Sequence, residues 1–130
     1  MGFISKCGGC LIGEIKLAEI KDSGKTQEFN TGAYRDSDEG KGRFDLIPYE
    51  ALQRLAVVYQ GGAKKYGENN WKKGMPIGRF LDSASRHMYK YLAGWKDEDH
   101  LAMAMWNVAG AIFMDDHPEI IEKIEKNEDK

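Results

Sequence analysis

Hydrophobic positions recur at helical spacing in three stretches of the chain and run almost unbroken in a fourth. After Pro48, the residues Ala51, Leu52, Leu55, Ala56, Val58 and Tyr59 fall on one helical face, the signature of an amphipathic helix. Pro48 suits the first helical position. The helix is expected to run to Tyr66 with Gly67 as its stop, although Gly61-Gly62 could end or kink it earlier. A second helix is predicted from about Ile77 to Ala93, with Phe80, Leu81, Ala84, Met88, Tyr91 and Leu92 facing the core and Gly94 as the stop. Leu101 to Phe113 is apolar nearly all round. A helix of that kind is usually buried, so it is expected at the centre of the fold. Pro118 opens a last amphipathic segment carrying Ile120, Ile121 and Ile124. Residues 1 to about 45 show no long periodicity, and turn residues recur in them (Asp22-Ser23-Gly24, Thr31-Gly32, Asp36-Ser37-Asp38-Glu39-Gly40). Only Leu11 to Ile20 could pair as a short hairpin or wrap the core. The pattern predicts an all-α protein: a compact bundle of three to four helices over residues 46–130, with an irregular N-terminal arm, residues 1–45, packed on that core. The whole is expected to form a single domain.

A length of 130 residues suits one modest core. The apolar run after Leu101 is broken by Asn107 and is too short to span a bilayer. Met1 to Gly13 lacks the continuous apolar centre of a signal peptide. The protein is therefore expected to work in the cytoplasm, away from membranes. Cys7 and Cys10 are the only cysteines. One such pair is half a zinc site, a potential disulfide, or of no structural consequence, and the last is favoured. Gly24-Lys25-Thr26 resembles the end of a phosphate-binding loop, but Glu19 stands where that motif needs glycine, so the motif is rejected.

Charge changes the picture more than composition does. Between Arg54 and Trp95 eight basic residues face only Glu68 and Asp82, whereas Asp97 to Lys130 holds ten acids against three lysines. The basic block could receive phosphate groups and the acidic helix start could hold a cation. A solvated exterior would account for most of the same lysines. Within the central stretch, Asp99, Met103 and Asn107 lie at i, i+4, i+8 with His100 one step aside. Helix capping by Asp97 or Asp99 explains the acids. It leaves Asn107, two turns inside an apolar helix, without a reason, because a buried carboxamide is costly unless partnered. His87 sits at the border of the second helix's apolar face, where a hydrogen-bonded core histidine and a functional one are equally good readings. Trp71, among Asn69, Asn70, Lys72 and Lys73, could stack on a base or anchor its loop on the core.

Together these groups suggest a metal-assisted phosphate site between helices. Water attacking a polyanionic phosphorus needs charge neutralisation and activation. Glu98, Asp99 and His100 at the acidic helix start could hold a divalent cation. His87, Asp99 and His100 are the candidate catalytic groups. Lys64, Lys65 and Arg86 could hold phosphates, and Asn70, Trp71 and Asn107 could contact base or sugar. The adjacent His-Asp order of one class of metal phosphohydrolases is missing, since only Asp99-His100 and Asp116-His117 occur.

Five blocks extend the reading: Glu28 to Asp36, Gly40 to Pro48, Gly62 to Trp71, Arg86-His87 and Asp97 to Asn107. In this order they resemble a phage-borne family described as dATP/dGTP diphosphohydrolase, related to the MazG-like all-α nucleotide pyrophosphohydrolases. The resemblance covers roughly Phe29 to Phe113. It implies a MazG-like helical fold, a divalent metal, cleavage of a purine deoxynucleoside triphosphate to monophosphate and pyrophosphate, and a homo-oligomer, most simply a dimer, in the host cytoplasm. No duplex nucleic acid is expected as partner. The MazG-like pattern places metal on Glu-x-x-Glu and Glu-x-x-Asp helices. Here Glu50-x-x-Gln53 is half of the first, and Asp99-His100 with Met103 replaces the second, so the resemblance implies Glu50, Glu98, Asp99 and His100 as the metal-ligand pool for Mg2+ or Mn2+. The competing hypothesis is a module that binds a nucleotide or a host protein without turnover and needs no metal.

Overall fold

A computed structural model describes residues 3–7, 10–15 and 18–128. The chain divides into two compact units, Met1–Arg43 and Phe44–Lys130.

The first unit is built from two antiparallel hairpins rather than irregular chain. β1 (Phe3–Cys7) pairs with β2 (Cys10–Ile15), from Phe3 opposite Ile15 to Cys7 opposite Cys10, with a register shift between Ser5 and Lys6. Pairing near Leu11 thus agrees with one of the two expectations, but the strand stops short of Ile20. β3 (Thr26–Glu28) pairs with β4 (Tyr34–Asp36). Hydrogen bonds from Phe29 N to the Ala33 carbonyl (2.8 Å) and from Gly32 N to the Phe29 carbonyl (2.9 Å) close its loop. The Asp36 carboxylate then gathers the base of this hairpin, accepting from Ser23 and from Lys41 Nζ at 2.8 Å. These contacts hold its carboxyl down at about 2. Such short strands leave no apolar alternation to read, because side chains of β3 and β4 are mostly exposed. Turn and side-chain hydrogen bonds specify them instead.

Among the described residues the second unit holds all four α-helices: α1 (Tyr49–Tyr66), α2 (Ile77–Leu92), α3 (His100–Asp115) and α4 (Pro118–Glu128). Pro48 precedes α1, and its carbonyl accepts from Ala51 N at 3.2 Å. The helix continues through Gly61-Gly62 and stops where Gly67, at φ 92°, turns out of it. A one-turn 3-10 helix at Asn70–Lys73 leads to α2. α3 starts where expected, with the Asp99 side chain accepting from Ala102 N at 3.2 Å, which satisfies one of the free amides of the first turn.

The core lies between α2 and α3, the most extensive helix pairing. Phe80, Ala111 and Met114 are buried there, flanked by Met75, Ile77, Trp106, Phe113, Ile120 and Ile121. Small residues on α3 let α2 come close: Ala102, Ala104, Gly110 and Ala111 are all buried. Full burial of a ring such as Phe80 contributes about 1.5–3 kcal/mol. α3 is central but covered on one side only. Leu101, Val108 and Ile112, at i, i+7, i+11, are 41%, 40% and 58% exposed. α2 exposes Leu81, Met88 and Leu92 at the same spacing. α1 buries none of its side chains fully. Among the described residues no helix is long and apolar enough to cross a membrane.

Candidate active site

The loop joining α2 to α3 brings the end of one helix to the start of the next. His87, in the last turns of α2, therefore faces His100, the first residue of α3. Their Nδ1 atoms are 2.9 Å apart and the rings are 5.2 Å apart between centroids. Both imidazoles are buried, His100 almost completely at 2% exposure. The other ring nitrogen of His100, Nε2, is 2.7 Å from Asp97 Oδ1. An ionised carboxylate only accepts, so this contact puts the His100 proton on Nε2 and leaves a lone pair on its Nδ1. His87 then donates from Nδ1. The bond to His100 lowers the Asp97 carboxyl below its ordinary value. Burial, followed by the cost of placing a second positive charge against the His100 imidazole, lowers His87 and favours its neutral form.

Glu98 completes the cluster. One donor atom each from His87, Glu98 and His100 lie within 4.8 Å of one another. Two imidazoles and a carboxylate fit a divalent cation chemically, and the carboxylate behind His100 is the usual support of a ligating histidine. Glu50 and Asp99 are outside this group among the described residues. Asp99 is held by Arg54 on α1 through two hydrogen bonds, Nε to Oδ2 at 2.8 Å and Nη2 to Oδ1 at 2.5 Å. That pairing lowers the Asp99 carboxyl and raises Arg54. It ties α1 to the start of α3, beside the cluster.

A cleft of about 680 Å³ opens against the same two helices. One wall comes from the second half of α1, with Tyr59, Gly62, Ala63 and Tyr66, and continues through the loop Gly67 to Trp71. The other comes from Arg79, Phe80, Ser83 and Arg86 of α2 and Trp106 and Asn107 of α3. The aromatic rings support one another: Trp71 packs edge-on against Phe113 at 4.8 Å, and Tyr59 lies 6.0 Å from both Trp71 and Trp106. Trp71 thus anchors its loop and lines the cleft at once. Asn107 Nδ2 donates to the Met103 carbonyl at 2.8 Å. Its carboxamide oxygen has no protein partner among the described residues. Arg86 is drawn toward Asp82 at 3.4 Å and Ser83 Oγ at 3.1 Å, both on its own helix.

The structure thus brings Asn70, Trp71, Arg86 and Asn107 to one cleft and gathers His87 of α2, Glu98 of the α2–α3 connection and His100 of α3 into a cluster that is not part of the cleft's lining. Lys64 and Lys65 do not line that cleft. Lys65 Nζ lies 5.0 Å from the Tyr66 ring centroid. Glu50 stands in the exposed first turn of α1. Sequence reasoning missed Arg54, Tyr59 and Arg79, and it saw Asp97 only as a cap. The i, i+3 spacing of Asp97 and His100 was the available signal for that pair.

Fold and site together define a small helical-bundle protein with a histidine–carboxylate cluster, its imidazoles buried and its carboxylates exposed, and an aromatic, amide-lined cleft walled in part by the same two helices. The family model described as dATP/dGTP diphosphohydrolase, N-terminal, matches residues 31–123. The chain belongs to that family, and the match includes every residue of the cluster and the cleft. No curated protein and no solved structure gives a significant match.

Proposed function

We propose that the protein hydrolyses purine deoxynucleoside triphosphates, dATP and dGTP, to monophosphate and pyrophosphate with Mg2+ or Mn2+, in the cytoplasm where these nucleotides are used. The observation that carries this reading is that His87 and His100, which cluster with Glu98, lie on the two helices that also wall the cleft. A volume near 680 Å³ is within the ordinary range for a small-molecule pocket. Trp71 and Trp106 offer ring faces to a purine. Asn70 and the free carboxamide oxygen of Asn107 can read its polar edge or the sugar. Arg86 and Arg79 supply planar cations suited to phosphate oxygens. His87, Glu98 and His100 would hold the cation, which when bound neutralises phosphate charge and acidifies water. Asp99 acts on the site through Arg54.

The test is release of pyrophosphate from the four deoxynucleoside triphosphates, with each metal and with chelator. One pyrophosphate per dATP or dGTP consumed, stopped by chelator, is expected. Quenching of tryptophan fluorescence by dATP with no pyrophosphate under any metal would instead make this a binding module.

The same reading takes the protein as a homo-oligomer, a dimer. Its support is the pair of exposed apolar stripes, Leu81/Met88/Leu92 on α2 and Leu101/Val108/Ile112 on α3. Bundles cover such stripes with further helices. Sedimentation at micromolar concentration should show the dimer, and a monomer alone would overturn it.

A further inference from the structure

We infer that His87, Glu98 and His100 form a two-imidazole, one-carboxylate centre that takes a first-row transition-metal dication in preference to magnesium, with Asp97 as its positioning residue. This deepens the proposed hydrolysis by naming the class of its cation, and it can stand or fall separately.

Donor type separates the candidate cations. Magnesium is a hard ion that loses water reluctantly and is held through carboxylates and substrate phosphates. Imidazole nitrogen suits the later divalent ions, whose affinity for nitrogen sites rises from manganese toward copper. Two of the three donors here are imidazoles, and both are buried. The spacing agrees. Donors about 2.1 Å from one ion and at right angles stand about 3 Å apart, and the two Nδ1 atoms are 2.9 Å apart. Three protein donors leave further coordination positions for water or a phosphate oxygen, as in catalytic rather than closed structural sites.

Asp97 supplies the second, independent observation. By accepting from Nε2 of His100 at 2.7 Å, it fixes the ring and keeps the lone pair on the inward Nδ1. A buried core histidine needs its ring nitrogens partnered too; what favours a ligand role is that donor atoms of His87 and Glu98 also lie within 4.8 Å of His100's. The remaining proton lies between the two Nδ1 atoms. For His87 to ligate through Nδ1 that proton moves to its own Nε2, so the neutral ring changes tautomer and no acid is released.

The experiment uses the full chain, stripped with chelator and free of nucleotide. Co2+ and Mg2+ are titrated separately by calorimetry, and Co2+ also by its visible absorption, which reports nitrogen ligation. One Co2+ per chain is expected, bound about 100-fold more tightly than Mg2+. His100→Ala should remove that site. Because His100 is buried and its loss could unfold the chain, Asp97→Asn is the second variant: its side chain is 55% exposed. Asp97→Asn should weaken Co2+ binding about 10–100-fold, with unchanged helical circular dichroism and unchanged Mg2+ binding. Mg2+ binding within a few-fold of Co2+, or unaltered Co2+ affinity in folded Asp97→Asn, would overturn the inference. Pyrophosphate release measured in parallel separates the two readings. Full turnover with Mg2+ and no Co2+ preference removes the transition-metal centre and keeps the hydrolase. Tight Co2+ binding with no pyrophosphate keeps the centre and removes the hydrolase.

Discussion

Gly110→Ala should destabilise the protein although it improves a helix. The position is in the middle of α3, where alanine in place of glycine is worth about 1 kcal/mol in propensity. A Cβ built there would be 2.4 Å from Phe80 Cε1, 2.8 Å from Cδ1 and 2.9 Å from Cζ. Carbon atoms prefer about 3.5–4.0 Å, so the nearest ring atom must retreat by about 1 Å. Phe80 is 1% exposed and tilted against Trp106 at 6.0 Å, so it has little room to retreat. Overpacking of this kind costs about 1–3 kcal/mol. An intrusion of about one ångström into a fully buried ring belongs at the upper end, leaving a net loss of about 1–2 kcal/mol. Urea unfolding followed by circular dichroism gives the difference directly. A double-mutant cycle with Phe80→Leu tests the cause: in that background Gly110→Ala should become neutral or stabilising. If Gly110→Ala stabilises the parent chain, or costs the same when combined with Phe80→Leu, the close approach of α2 to α3 is not what glycine serves here.

Three further outcomes follow from other parts of the molecule. Asn107→Leu should lower affinity for dATP at least ten-fold while changing stability by less than about 1 kcal/mol, because the Met103 carbonyl keeps its helical partner; fluorescence titration and urea unfolding check the two halves, and unchanged affinity removes Asn107 from the cleft's function. The Asp36 carboxyl should titrate near pH 2 by NMR, since Lys41 and Ser23 favour its charged form; its depressed value means that its stabilisation of the hairpin is full above about pH 4 and disappears as pH falls through 2, and a midpoint near 4 would refute the clamp. Ile112→Glu, in an exposed stripe, should convert the proposed dimer to monomer in sedimentation with helical content retained, and an unaltered dimer would locate the interface elsewhere.

Helices were legible because their determinants are local. Ala51 to Tyr59 and Phe80 to Leu92 repeat at 3.6 residues, and Gly67, Gly94 and Asp99 mark ends within one turn of where they fall. The hairpin at Thr26–Asp36 was illegible because its strands are three residues long, and polar contacts rather than an apolar face set their pairing. At the site, His87 and His100 could be picked out singly, and the short connection between their helices hinted that they meet. The Arg54–Asp99 pair could not be found this way, because the partners are 45 positions apart and either looks like an ordinary surface charge. Lys64 and Lys65 show the converse: adjacency to the cleft in sequence did not place them in its lining. Asn107 combined both readings, one end tied to its own helix and the other available to a ligand.

The unburied face of α1 has a consequence for how the cleft opens. Its opposite wall, α2 and α3, carries the buried core, whereas α1 is fastened by the Arg54–Asp99 pair and by the ring contacts of Tyr59. Gly61 and Gly62 lie within it in open surroundings that a side chain could have filled. Each costs the helix about 1 kcal/mol. Local opening free energies vary widely within one protein, and sparsely buried segments sit at the low end. Amide protons of α1 should therefore exchange sooner than those of α2 and α3. A nucleotide arriving at this cleft would meet one yielding side and one unyielding side, and its binding would slow exchange on the yielding side first.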